Sequence, residues 1–151
     1  KNLLYGFGNA FFKRGDYFAA LAAYEELLSL LNAQRARKEQ ALLNTRPDDA
    51  AFMESYMHTT NNLGATLSRL SERTGDSQRN GRALALYAEA TRAWDALTRN
   101  PQTMIRAKSV GLAYLNIKNM LSSNSPYQAE IYTDIPMILE DERPLEQKED
   151  K

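Results

Sequence analysis

The sequence predicts an all-α protein, built as an array of antiparallel helix hairpins with one pair of elongated helices. Nearly every residue up to about Leu121 belongs to a helix-forming stretch, and short polar turns separate these stretches. No alternation of apolar and polar residues typical of β-strands occurs, and one spacing of small and large residues recurs along the chain. We expect a helical domain over residues 1–133 and an acidic, extended or mobile tail over residues 134–151.

The first two helices are predicted from local signals near the start of the sequence. The first spans about residues 3–13, and Gly15 then turns the chain. Asp16 is suited to cap the second helix, because its carboxylate can accept hydrogen bonds from the first free amide groups. We expect this second helix to continue to about Asn44, before Pro47 prevents its extension.

Three further helices and one short one are predicted. The third spans about residues 50–73, and a polar turn separates it from the fourth, over residues 82–98. Asn100 is a suitable cap for a fifth helix over residues 101–121, since a proline follows it directly. A short helix over residues 125–131 is expected before the tail.

A recurring pattern of large and small residues suggests how the helices pair. Small residues let two helices approach closely, so we expect Gly8 and Ala20 to mark one crossing, with Phe11 and Tyr24 filling the space beside it. The pattern consists of Leu4, Phe7, Gly8, Phe11, Gly15, Ala20 and Tyr24 in the first copy, Leu63, Gly64, Ala83, Tyr87 and Ala90 in the second, and Gly111 and Tyr114 in the third. It resembles the tetratricopeptide repeat (TPR), with about two and a half repeats.

The spacing of the copies predicts an elongated pair of helices. Gly8 and Gly64 are separated by roughly 22 residues more than the family period of about 34 residues. This excess corresponds to about six helical turns. We therefore expect the second and third helices to be about three turns longer each, and to continue side by side as an arm.

The resemblance also implies a binding groove. In this family the first helix of each repeat lines a concave surface that holds an extended peptide or a partner helix. The groove positions that it implies here are Asn2, Tyr5, Asn9, Phe12 and Lys13, then His58, Asn61, Asn62, Ser68 and Arg69, and finally Arg106, Lys108 and Leu112. An asparagine amide can hold a peptide backbone because it both donates and accepts hydrogen bonds. The alternative is that these residues form an ordinary exposed helix face.

Some family members bind the C-terminal carboxylate of heat-shock chaperones through a clamp of two asparagines and three cations. Asn9 and Asn62 match the two asparagines, whereas Tyr5, Ile105 and Ser109 replace the cations. The resemblance therefore does not extend to a receptor for chaperone tails.

Composition limits the other classes of function. The chain has 151 residues, and its 19 basic and 19 acidic residues balance, which argues against a dedicated surface for nucleic acid or anionic membranes. No cysteine is present and His58 is the single histidine, so zinc sites and thiolate catalysis are not expected. We expect His58 to lie on a helix surface and Trp94 to belong to the core. No catalytic residue, metal or cofactor is predicted.

The favoured hypothesis is a non-enzymatic scaffold or adaptor module of a larger protein, which binds a protein or peptide segment in its groove. The alternative is a structural subunit of a large assembly, with contacts through the helix faces and the arm. The third, an enzyme or nucleic-acid binder, would use the arginines at 69, 73, 79 and 82. Self-association is compatible with the sequence, and so are the cytoplasm and a bacterial periplasm or cell envelope. The apolar residues at 135–139 suggest that the tail docks on the last helix.

Overall fold

The computed structural model describes residues 2–41, 49–104, 111–122 and 128–134. This part of the chain is all-helical apart from its turns and one non-helical segment at 128–134, and it contains no strand. The all-α prediction is therefore confirmed. The helices are α1 (Asn2–Lys13), α2 (Tyr17–Ala41), α3 (Asp49–Thr74), α4 (Gln78–Arg99), α5 (Pro101–Met104) and α6 (Leu112–Leu121).

The turn between α1 and α2 forms as its local signals predict. Gly15 has φ +80°, a left-handed conformation that favours glycine, and it follows the last residue of α1 closely. The carboxylate of Asp16 accepts a hydrogen bond from the amide of Ala19 at 3.4 Å, in the first turn of α2. Because the turn is this short, α1 and α2 form a hairpin with a shared buried face.

Each helix from α1 to α4 packs against the next one in the chain, and α6 returns to contact both α4 and α3. The pairing of α3 with α4 is the most extensive of these interfaces. A single apolar core runs through the pairs. Its fully buried large side chains are Tyr5, Tyr24, Met57, Leu63, Leu70 and Tyr87.

Gly8 and Gly64 are needed for the same reason in two successive hairpins. A Cβ atom added at Gly8 would lie 2.7 Å from Cδ1 and 2.8 Å from Cζ of Tyr24, and one at Gly64 would lie 2.7 Å from Cε1 of Tyr87. Both tyrosine rings are fully buried. The expectation of close backbone approach holds at Gly64, where the carbonyl oxygen of Ala83 would be 3.2 Å from the added Cβ. At Gly8 the nearest atoms belong to the Tyr24 ring instead.

The other residues of the recurring pattern divide into two groups. Most of them are buried or pack partly buried against the core, and Gly111 lies beside the half-buried ring of Trp94. Phe7 and Tyr114 are about half exposed, at 49% and 46%. The buried or partly buried members are Leu4, Phe11, Ala20, Tyr24, Leu63, Ala83, Tyr87 and Ala90.

The long helices agree with the predicted arm. Helices α2 and α3 have 25 and 26 residues, compared with 12 in α1. Their extensions lie side by side, since the guanidinium of Arg35 stacks over the rings of Phe52 and Tyr56 at 5.2 and 4.5 Å. Residues 42–48, which connect the two helices, lie outside the described residues.

Two helix boundaries differ from the prediction. Helix α4 begins at Gln78 rather than Arg82, and the carboxylate of Asp76, just before the helix, accepts a hydrogen bond from the Gln78 amide at 3.0 Å. The continuous fifth helix over 101–121 is wrong. Gly111 has φ −62° and ψ 77°, which is not helical, and α6 begins directly after it.

The start of α5 agrees with the prediction, whereas the last described residues do not. Asn100 caps α5 as predicted, accepting from the amide of Gln102 at 2.9 Å. The short helix predicted over 125–131 is wrong for residues 128–131, which are non-helical because side chains of other helices bind their backbone groups. The docking hypothesis for residues 135–139 falls outside the described residues.

Candidate peptide-binding groove

Residues 128–134, called here the docked segment, lie against α1, α3 and α6. Asn62 on α3 binds both backbone groups of one of its residues: Oδ1 accepts from the Tyr132 amide at 2.7 Å, and Nδ2 donates to the Tyr132 carbonyl at 2.9 Å. The N–H and C=O of one residue point to the same side when the backbone is extended. Asn62 therefore recognises extended main chain rather than a side chain.

Asn116 on α6 makes the same pair of contacts two residues earlier in the docked segment. Its Nδ2 donates to the carbonyl of Glu130 at 2.9 Å, and its Oδ1 accepts from the Glu130 amide at 3.1 Å. Asn61 also donates to that carbonyl, at 3.2 Å, and accepts from Asn116 at 2.9 Å. These asparagines and Asn62 are fully buried, so their amides are held in place by one another and by the segment.

The two ends of the docked segment are also bound through backbone carbonyls. Arg69 donates from Nε and Nη2 to the Ala129 carbonyl at 3.2 and 3.0 Å, while its guanidinium stacks 5.3 Å from the ring centroid of Phe12. At the other end, Asn9 of α1 donates to the Thr133 carbonyl at 3.5 Å. Helices α1, α3 and α6 together thus bind the backbone carbonyls of residues 129, 130, 132 and 133.

The side chain of Tyr132 fills the centre of the groove. Its ring stacks on the imidazole of His58, and its hydroxyl accepts a hydrogen bond from the amide of Leu112 at 3.2 Å, at the first residue of α6. Burial raises the pKa of Tyr132 to about 12, so this phenol is neutral at physiological pH. A neutral phenol oxygen can accept from a free amide of a helix start without adding a charge to the interior.

A second layer of hydrogen bonds fixes the floor of the groove. The hydroxyl of Tyr5 donates to the Tyr132 carbonyl at 2.9 Å, and it accepts from Nδ2 of Asn62 at 3.0 Å. The hydroxyl of Tyr24 donates to Oδ1 of Asn9 at 2.5 Å. Burial raises the pKa of both Tyr5 and Tyr24 well above the usual range, so both phenols keep their protons.

His58 is buried beneath the docked segment, not exposed on a helix surface as expected. Its Nδ1 lies 3.2 Å from the hydroxyl of Tyr5. Burial lowers the pKa of His58 to about 4, and the backbone and charge of Asp134 oppose this shift only in part. The imidazole is therefore neutral at pH 7.

The structure brings most of the residues implied by the resemblance to the docked segment, and places a few elsewhere. Ser68 faces α4, where its hydroxyl lies 3.1 Å from that of Tyr87, and Lys13 is exposed at the end of α1. The side chain of Asn2 and the residues Arg106 and Lys108 lie outside the described part. Those that contact the segment are Tyr5, Asn9, His58, Asn61, Asn62, Arg69 and Leu112, and Phe12 lies under Arg69.

Sequence reasoning missed Asn116 and the docked segment itself. Asn116 shares one face of α6 with Ala113, Ile117 and Met120, at helical spacing. A single amide on an otherwise apolar face was the signal that could have identified it. The docked segment gives no periodic signal, because its conformation is imposed by hydrogen bonds from distant residues.

The described residues contain no group of histidine, aspartate and glutamate side chains arranged to hold a metal ion. Nor does any helix among them have the length and apolar character required to span a bilayer. No family model matches the sequence, and neither a curated protein nor a solved structure matches it.

Proposed function

We propose that this chain is a non-enzymatic protein-interaction module, which holds an extended segment of a partner in the groove between α1, α3 and α6. The observation that carries the proposal is the two-bond pairing of Asn62 with Tyr132 and of Asn116 with Glu130. An extended peptide cannot satisfy its own backbone groups, so a groove that binds them supplies both affinity and alignment. The docked segment occupies the groove as an intramolecular ligand.

The TPR-like assignment is part of this proposal. Its support is the repeated relationship of Gly8 with Tyr24 and of Gly64 with Tyr87, one in each of two successive hairpins. In such an array the first helices of the pairs line one side. Here α1, α3 and α6 are the helices that contact the docked segment, which agrees with that arrangement.

The chemistry of the groove favours binding over catalysis. Its asparagine amides do not titrate, and the phenols of Tyr5 and Tyr132 have raised pKa values. The pKa of His58 is lowered to about 4. General acid–base catalysis works best when a group has a pKa near the working pH. These residues are suited to permanent hydrogen bonds instead.

The test is a binding assay with the segment supplied as a separate peptide. A fluorescein-labelled peptide with the sequence of residues 128–134, QAEIYTD, is titrated into the full chain carrying Tyr132→Ala, and anisotropy is measured. We expect saturable binding to this variant, because its own segment has lost its central side chain. Binding to the unchanged chain should be weaker, since an attached competitor has an effective concentration on the order of millimolar.

Two further variants, each made in the Tyr132→Ala chain, test whether the peptide binds in the groove. Asn62→Ala should abolish peptide binding, because both main-chain bonds at the centre of the groove are lost. Asn32→Ala, on an exposed face of α2, should leave binding unchanged. Hydrogen exchange at the Glu130 amide reports whether the attached segment has left. An absence of peptide binding to a chain whose Glu130 amide exchanges freely would contradict the proposal.

A structural subunit of an assembly is the second candidate, favoured by exposed apolar side chains on the first hairpin. Leu3 and Phe7 are one helical turn apart on α1, with 67% and 49% of their surfaces exposed, and Phe18 of α2 is 56% exposed. An apolar face of this kind can bind a neighbouring subunit. Sedimentation velocity distinguishes the candidates: a subunit should self-associate in a way that Phe7→Ser weakens and Asn62→Ala does not.

A further inference from the structure

The docked segment is enclosed unevenly, and this indicates which of its side chains the groove selects. Ala129 and Tyr132 are almost completely buried, with 1% and 5% of their surfaces exposed. Ile131 is partly buried, whereas Glu130 and Thr133 are exposed. Main-chain contacts are indifferent to side-chain identity, so we expect the strongest sequence preference at the two enclosed positions, with a smaller contribution from the partly buried Ile131.

The position of Ala129 accepts only a small side chain. Its carbonyl is fixed by two donors of Arg69, and the Arg69 guanidinium is itself held over Phe12 and lies 5.9 Å from the ring centroid of Tyr17. The backbone at Ala129 therefore cannot withdraw to make room without breaking these bonds. A branched side chain here would overpack an enclosed site.

The position of Tyr132 is specific for an aromatic ring that ends in a hydroxyl. The ring stacks on His58 with 4.3 Å between centroids, which any aromatic residue could reproduce. The hydroxyl is different, because it accepts from the amides of Leu112 and Ala113 at the start of α6. Phenylalanine would keep the stacking and leave those amides without this acceptor.

We infer that the partner of this groove is an extended peptide segment with a small residue followed, three positions later, by a tyrosine. This inference rests on the proposed function, since it specifies the sequence class that the same groove selects. The docked segment, with Ala129 and Tyr132 at these positions, is the intramolecular competitor for that partner.

A competition experiment tests the inference. Unlabelled peptides displace labelled QAEIYTD from the full chain carrying Tyr132→Ala, and their inhibition constants are compared. A peptide with Tyr132→Phe should compete about tenfold more weakly than the unchanged one, which is the factor expected for one lost hydrogen bond of about 1.4 kcal/mol. A peptide with Ala129→Leu should be weakened by about tenfold or more through overpacking. The matched control, Glu130→Ala, alters an exposed side chain and should compete within about twofold.

The outcomes separate the inference from the proposed function. Equal competition by all four peptides would overturn the inference while leaving a groove that binds main chain. Failure of unchanged QAEIYTD to bind a Tyr132→Ala chain whose Glu130 amide exchanges freely would overturn both.

A second measurement uses the attached segment and needs no separate peptide. In the full chain, Tyr132→Phe should accelerate hydrogen exchange at the Glu130 amide by about tenfold if exchange follows release of the segment. The exposed Thr133→Ala should leave exchange at Glu130 unchanged, since its side chain lies in solvent. Equal exchange rates in both variants would overturn the inference.

Discussion

The imidazole of His58 and the phenol ring of Tyr132 lie parallel, with 4.3 Å between their centroids and 5° between their planes. This stacking joins His58 of α3 to a residue 74 positions later in the chain. The docked segment covers His58, the only histidine of the protein. Protonation of this side chain is therefore linked to the binding of the docked segment in the groove.

This linkage predicts that stability falls on mild acidification. The unfolded chain binds a proton at His58 with a pKa of about 6.5, whereas burial lowers the folded pKa to about 4. Between these values the unfolded state holds more protons, so lowering the pH from 7.5 to 5.5 should reduce the free energy of unfolding by about 1.4 kcal/mol. Urea unfolding at the two pH values measures this, and most of the loss should be absent in His58→Phe. An equal loss in both chains would exclude His58 as the cause.

A pair of glycine substitutions tests the packing of the first hairpin. Gly8→Ala should destabilise the fold by roughly 1–3 kcal/mol, because the new methyl group would overlap the buried ring of Tyr24. Gly6→Ala, on the same helix, meets no atom within 4 Å and should stabilise by up to about 1 kcal/mol through helix propensity. Thermal unfolding of the two variants should therefore shift in opposite directions. A stabilising Gly8→Ala would contradict the observed contact.

Loss of one groove amide should be costly even without a partner. Asn62→Ala removes the donor and the acceptor that bind Tyr132, and leaves the buried Tyr132 amide without its acceptor. We expect a loss of about 2–3 kcal/mol in the free energy of unfolding, measured in urea. The exposed Asn32→Ala should change it by no more than about 0.5 kcal/mol. Similar values for the two variants would show that the docked segment adds little to the fold.

The ion pair between the hairpins should matter less. Arg82 of α4 donates two hydrogen bonds to the carboxylate of Glu25 on α2, at 2.8 and 2.5 Å, but the two side chains remain 47% and 40% exposed to solvent. Arg82→Ala should therefore cost less than about 1 kcal/mol, and the cost should shrink as salt is added. A loss that is large and insensitive to salt would instead indicate a packing role for the arginine.

The features that could be predicted from the sequence are those encoded locally. Gly15, Asp16 and Asn100 act within one helical turn of their positions, and each turn and cap forms as expected. The break at Gly111 and the non-helical docked segment depend on residues far away in the chain, so local propensity could not reveal them.

In the candidate site, too, some residues could be predicted from the sequence and others could not. The resemblance pointed to Asn9, Asn61 and Asn62, because their spacing from the pattern glycines fixes which helix face they occupy. Asn116 lies five residues after Gly111, the position that Arg69 occupies relative to Gly64, but the groove residues predicted for the third copy end at Leu112. Nor could it show that a segment of the same chain completes the hydrogen bonds of these amides.

The two asparagine pairings lie two residues apart and therefore limit the docked segment to registers that differ by an even number of residues. A slip of one residue would turn each side chain of an extended strand to the opposite face. A slip of two would restore the main-chain bonds but would bring Glu130 or Asp134 against the neutral ring of His58, where an uncompensated carboxylate is unfavourable. The acidic residues on both sides of Tyr132 therefore disfavour slips of two residues in either direction. A single register of the docked segment remains.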